Sequence, residues 1–166
     1  QLQTTNGGEG TVSALSVGGG VLYVQRGSGA VREFAYNYSA DKYLGQDLTI
    51  LARHIIKDRD ITAWAYQQEP YSTLWCVLSD GTFAGLTYMK EQDVIGWHRH
   101  TTDGSILDVA VIPGTPDDQV WFLVRRAGGV FVERLESFFD SDNLDDAFFL
   151  DSALHYSGEA ADTFSG

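Results

Sequence analysis

Apolar and polar residues alternate with a period of two along most of this chain, and short glycine-bearing turns interrupt the alternation. Val21-Leu22-Tyr23-Val24 leads through Gly27-Ser28-Gly29 into Val31-Arg32-Glu33-Phe34-Ala35-Tyr36. Thr73-Leu74-Trp75-Cys76-Val77-Leu78 leads through Ser79-Asp80-Gly81 into Thr82-Phe83-Ala84-Gly85-Leu86-Thr87-Tyr88. Val120-Trp121-Phe122-Leu123-Val124 leads through Ala127-Gly128-Gly129 into Val130-Phe131-Val132-Glu133-Arg134-Leu135. Each reads as strand, turn, strand, and Asp80-Gly81 is the strongest turn signal because both positions tolerate positive φ. Leu22, Leu74 and Val120 take matching places in the three hairpins, at spacings of 52 and 46 residues. A hairpin repeat of roughly 40–50 residues predicts propeller blades.

Further strands are expected at 61–66, 94–100 and 106–112. One four-strand unit then uses 61–66, 73–78, 82–88 and 94–100; another uses 106–112, 120–125, 129–135 and a last strand near 147–154. One segment departs from period two: Leu48, Leu51, Ala52 and Ile55 fall at helical spacing behind Asp47, which predicts a short amphipathic helix at 47–56 with Asp47 as its N-cap. The expected fold is all-β, a single domain over 1–166 of antiparallel propeller-like blades at about 14–46, 61–104 and 105–156. Three blades do not close a ring, since propellers need about four to eight. An open stack leaves an apolar flank and sheet edges that a partner copy would have to cover. The predicted core is Leu22, Leu51, Trp64, Leu74, Trp75, Val77, Leu86, Trp97, Val109, Val111, Trp121 and Leu123.

Composition narrows the function classes. With 166 residues, 43% of them hydrophobic, the chain is large enough for a real core and is not disordered by composition. No apolar run approaches the length of a membrane-spanning helix. The lone Cys76 excludes an intramolecular disulfide and a cysteine zinc cluster, and its apolar surroundings favour a buried small side chain over a reactive thiol. The net charge of −12 argues against nucleic-acid binding as the main task. Residues 136–166 carry Glu136, Asp140, Asp142, Asp145, Asp146, Asp151, Glu159 and Asp162 without a Lys or Arg. That stretch reads as a solvated or partner-facing surface, with a calcium site as the sharper alternative. The chain starts at Gln1, its only methionine is Met89, and no signal peptide is evident, so it reads as an internal fragment of a larger protein.

Candidate chemistry is sparse. His98 and His100 lie two apart on a predicted strand and share a face; with Asp103 they are three groups of metal-ligating type, weighed against rings that hydrogen-bond and pin a blade edge together with Arg99. Asp80, Glu91, Asp93, Asp103 and Asp108 offer carboxylates, but pairs among 23 acidic residues arise by accident. No nucleophile elbow, phosphate loop or His-Glu-x-x-His motif is present, and Gly7-Gly8-Glu9-Gly10 and Gly18-Gly19-Gly20 lack the flanks of a nucleotide site. No catalytic, cofactor-binding or metal residue is assigned, and the chain is not expected to be an enzyme. Trp64, Trp75, Trp97 and Trp121 are candidates for stacking on sugars, but the matching places of Trp75 and Trp121 favour repeated core packing.

Specific strings carry a resemblance. Asp47-Leu48-Thr49-Ile50-Leu51-Ala52, Ala63-Trp64-Ala65-Tyr66-Gln67-Gln68-Glu69-Pro70, Leu74-Trp75-Cys76-Val77, Asp80-Gly81 and Gly85-Leu86-Thr87-Tyr88 resemble a family of bacteriophage and prophage tail proteins. So do Gly96-Trp97-His98-Arg99-His100-Thr101-Thr102-Asp103-Gly104, Val109-Ala110-Val111-Ile112-Pro113 and Val132-Glu133-Arg134-Leu135. The resemblance covers roughly residues 20–160 and is to the tail tubular, or nozzle, proteins of short-tailed phages. It implies a propeller-like region contributing to a multi-subunit ring in the tail channel of the virion, made in the bacterial cytoplasm. The implied partners are further copies of the parent protein and other tail proteins. The second function class is a receptor- or carbohydrate-binding module that reads a host-surface glycan.

Overall fold

The computed structural model describes residues 7–139, 142–147 and 150–153. They form an all-β fold of three antiparallel sheets, each a meander of neighbouring strands. The first sheet holds β1 (Leu15–Val17), β2 (Gly20–Val24), β3 (Val31–Asn37) and β4 (Lys42–Asp47) in chain order. The short helix α1 (Arg53–Ile56) leads into the second sheet, β5 (Ile61–Gln67), β6 (Thr73–Leu78), β7 (Phe83–Met89) and β8 (Val94–His100). The third sheet holds β9 (Ser105–Ile112), β10 (Gln119–Arg126) and β11 (Gly129–Arg134).

Local chemistry sets the turns. At the β6–β7 turn, Asp80 accepts hydrogen bonds from the Thr82 backbone N–H at 3.0 Å and hydroxyl at 2.6 Å. Gly81 then takes φ +82°, a left-handed conformation that favours glycine, and a Cβ there would meet Ser105 at 2.8 Å. Its carbonyl accepts from the Ile106 N–H at 2.8 Å, tying this turn to the start of β9.

The second sheet lies between the other two, and this decides which residues form the core. All six residues of β6 are buried. Leu74, Cys76 and Leu78 join Leu22, Val24, Val31 and Leu86 in a core against the first sheet. Trp75 and Val77 join Phe83, Ile106, Val109, Val120, Phe122 and Val124 in a second core against the third. Each fully buried leucine among these contributes about 1.5–3 kcal/mol relative to an exposed one. A run apolar on every position is what a strand covered on both faces requires. Burial pushes the Cys76 thiol far above its usual range, which makes it an inert core side chain.

Four expectations need correction. The helix spans only Arg53–Ile56, because the Asp47 carboxylate accepts from the Thr49 N–H at 2.9 Å and hydroxyl at 2.7 Å. That Asx-type turn directs the chain off β4 before a helix begins, so Asp47 caps a turn and not a helix. Leu51 is consequently 92% exposed, and Ile56 takes the core place beside Ile55. Trp121 and Leu123 are half-buried on the outer side of β10, while Val120, Phe122 and Val124 face the core. Every residue of Val120-Trp121-Phe122-Leu123-Val124 is apolar, so alternation there does not choose a side; the middle sheet does. Trp64, Trp97 and Val111 pack against the two cores but are only half-buried: the two indole N–H groups reach backbone carbonyls, of Ser13 and Leu48 respectively, each at 2.8 Å. Finally, Leu22 and Leu74 face each other across one core, so their spacing does not superpose them.

The expected last strand near 147–154 falls partly on residues 148, 149 and 154, outside the described residues. The described residues past Arg134 form no strand; a single 3₁₀ turn at Leu144–Asp146 interrupts them. Among the described residues no helix is long and apolar enough to cross a membrane.

Candidate functional site

The two histidines lie on one face of β8, as the alternation predicts. The His98 Nδ1 and His100 Nε2 atoms are 2.6 Å apart, a hydrogen bond that needs one proton between them. Both rings sit in an aromatic cage. Trp75 meets His98 edge-on at 5.6 Å and His100 at 5.5 Å, and Phe83 stacks on His100 at 4.9 Å. Burial holds both imidazoles below their usual range, and for His100 the nearby His98 adds to the effect. A Cβ on Gly85, the cross-strand partner of His98, would lie 2.0 Å from the His98 ring.

Asp103 does not join this pair. Its backbone carbonyl accepts from Arg126 Nη1 at 2.5 Å and its N–H donates to Asp151 at 3.1 Å. Among the described residues no three His, Cys, Asp or Glu side chains come together as a metal site. The arrangement fits ring packing with one internal hydrogen bond, the polar alternative weighed for these strings, and Arg99 takes no part in it.

Arg126, which the sequence did not single out, is the centre of a dense polar cluster among the described residues. Its guanidinium grips Glu133 with two bonds of 2.5 and 2.7 Å and reaches Asp151 at 3.1 Å and Thr102 at 3.1 Å. The Arg126 bonds hold the Glu133 carboxyl below the usual range, and the Thr102 hydroxyl does the same for Asp151. The cluster fastens part of the acidic stretch to the third sheet. Of the remaining acidic residues, Glu136 pairs with Arg134 at 3.4 Å, whereas Asp140, Glu159 and Asp162 lie outside the described residues. Arg126 pairs with Gly129 and Glu133 with Phe122, so the two share one face of the hairpin four positions apart, a gap that the long arginine side chain bridges.

The Gln-Gln-Glu-Pro string has a structural role. Gln67 is buried, accepts from the Trp75 indole N–H at 2.9 Å and donates to the Glu69 carbonyl at 2.9 Å. The Asp118 carboxylate accepts from the backbone N–H groups of Gln68 at 2.8 Å and Glu69 at 3.1 Å. Against the cost of burial, these bonds and one from Gly114 hold its carboxyl below the usual range. The cleft beside this junction, about 170 Å³, is lined by Gln67, Pro70, Asp118, Arg134 and Phe138 among others. The other carboxylates singled out are dispersed: Asp80 pairs with Arg59 at a turn, Asp108 accepts from the Val109 N–H, and Glu91 and Asp93 are exposed.

Larger features lie on the outer faces of the stack. On the first sheet, Val31 and Glu33 point inward, so Phe34 and Tyr36 point outward with their partners Gly45 and Tyr43. Phe34 stacks on Tyr43 at 5.0 Å, Tyr36 meets Tyr43 edge-on at 5.2 Å, and Tyr38 extends the group at the turn. The Phe34-x-Tyr36-x-Tyr38 alternation announces this stripe in the sequence. On the third sheet, Trp121, Leu123 and Arg125 face out beside Arg134, Val132 and Val130. The hydrogen bond from the Leu135 N–H to the Val120 carbonyl fixes which β11 residues bond to β10. By antiparallel alternation Phe131 and Glu133 do, leaving the backbone groups of Val130, Val132 and Arg134 aimed at the open edge.

No protein-family model matches the chain, and no curated protein matches it.

Proposed function

We propose that the chain is a structural part of a phage or prophage tail, its three sheets acting as blades of a partial propeller within a nozzle-like assembly. The observation that carries this reading is the pair of apolar outer faces at the two ends of the stack. Val132 is 67% exposed on one and Tyr43 is 52% exposed on the other, as expected of blades whose neighbours come from elsewhere. The sheets are meanders built on a hairpin repeat, which is how propeller blades are made. The resemblance of the tail-protein strings supplies the setting. Many of the residues in those strings serve packing and sheet-to-sheet contacts, a use suited to an assembly subunit. A net charge of −12 also suits a channel wall past which DNA slides without sticking.

In this reading the partners are further copies of the parent protein and other tail proteins in the virion. Deleting the parent gene is the test: particles with absent or leaking tails are expected. Normal tails that fail only in host attachment would favour the second reading, a carbohydrate-binding module. Its specific support is the stripe of Phe34, Tyr36, Tyr38 and Tyr43, a ring-bearing surface of the kind on which sugars stack.

A further inference from the structure

We infer that two copies of this chain join head to tail, the outer face of the third sheet in each copy seating on the outer face of the first sheet in the other, so that their sheets close one ring. The inference rests on the blade reading above and names its partner.

The stack contains a precedent for the contact. Trp75 leaves the middle sheet on the side of the third sheet and meets Phe122 edge-on at 6.3 Å. Trp121 stands 46 residues later, at the matching place of the next sheet, and points away from the middle sheet. Among the described residues no further sheet covers it. The first sheet has the opposite deficit: its inner face is packed, and its outer face presents Phe34, Tyr36 and Tyr43 with no sheet in front among the described residues. Seating one face on the other repeats the aromatic contact, Trp121 against these rings in place of Trp75 against Phe122.

The two faces are complementary and not alike. Val130, Val132 and the guanidinium of Arg125 meet tyrosine rings, and a guanidinium is attracted to a ring face. Arg125 has no ion-pair partner among the described residues, so it is free for that role. A contact between two different faces makes a ring or an open filament, according to whether the rotation closes. Rings of about four to eight blades are the stable range. With three sheets per copy, one copy falls short, two give six, and three exceed the range.

Sedimentation velocity and native mass spectrometry of the chain at micromolar concentration test this. A species of twice the monomer mass is expected, with nothing larger. Val132→Asp and Tyr43→Asp should each weaken association by at least about tenfold, equivalent to about 1.4 kcal/mol. An equal mixture of the two variants should dimerise better than either alone, because one of its two contacts then joins unaltered faces. Arg125→Glu and Tyr36→Lys form a second pair should either first variant lose its wild-type circular dichroism. A monomer, an open polymer, a dimer insensitive to either face, or a mixture no better than its parts overturns the inference. So does a glycan that binds the tyrosine face of a monomeric chain. A monomer here with tail defects on gene deletion removes only this inference; a dimer with normal tails removes only the tail reading.

Discussion

Trp75 and Trp121 hold the same place in successive sheets, and among the described residues only Trp75 has a sheet in front of it. Trp75 is 2% exposed, surrounded by Phe83, Phe122 and the two histidines, with its N–H on Gln67. Trp121 is half-buried, and its N–H reaches Gln119, two residues away at 3.2 Å. Trp75→Ala should therefore cost about 3–5 kcal/mol in urea unfolding. Trp121→Ala should cost less in the monomer, about 1–2 kcal/mol, since its side chain is only partly covered. Equal losses at the two positions would contradict the stacking order of the sheets.

Gly85 is the position where the histidine cage meets the backbone. With the His98 ring 2.0 Å from where a Cβ would be, Gly85→Ala forces that ring aside. The ring cannot swing freely, because Trp75 and His100 flank it. The expected loss is about 1–3 kcal/mol, the usual cost of overpacking a core. Gly85→Ala combined with His98→Ala should recover most of it, and a double variant as unstable as the sum of its parts would rule out this contact as the cause.

The all-β class and the strand positions were legible because alternation and Gly-bearing turns act locally. What the sequence could not supply was direction. Val120-Trp121-Phe122-Leu123-Val124 is apolar on both sides, so only the neighbouring sheet decides that Phe122 faces in and Trp121 out. The same ambiguity placed Leu22 and Leu74 on equivalent faces when they meet across a core. Leu48, Leu51, Ala52 and Ile55 suggested a longer helix, since their spacing does not reveal that Asp47 turns the chain first. For the candidate site, the shared face of His98 and His100 was readable from period two. The distance of Asp103 was not, because its backbone is held by Arg126 and Asp151 from distant parts of the chain.

Glu33 and Lys90 join the first two sheets. The carboxylate is buried, and Lys90 Nζ reaches it at 2.5 Å from a more exposed position. Burial and then the Glu33 carboxylate push the neighbouring Tyr88 phenol well above its usual range, so Tyr88 stays neutral. Lys90→Met leaves the buried carboxylate without its cation and should cost about 1–3 kcal/mol. Adding Glu33→Gln should return part of that loss, because the stranded charge is then gone. A double variant less stable than Lys90→Met alone would show that Glu33 contributes independently of the pair.

The histidine cage also gives the chain a pH dependence whose sign is fixed by its geometry. In the unfolded chain both imidazoles titrate near the ordinary value of 6.5, and in the folded chain burial holds both below it. Between the unfolded and folded values the unfolded chain binds protons that the folded chain refuses, so stability rises with pH across that window. The stabilisation is complete above pH 6.5, falls as pH drops below it, and levels off once the folded rings also protonate. The carboxylates with lowered values act in a separate window, below their ordinary 3.8 for Asp47, Asp80, Asp118 and Asp151. Urea midpoints measured downward from neutral pH should therefore show a first decline beginning near pH 6.5 and a second, acid one below pH 4. Replacing both His98 and His100 by Gln should abolish the first decline and leave the second in place. Stability that increases on acidification through the first window, or a double variant with the wild-type slope, would place the titrating groups elsewhere.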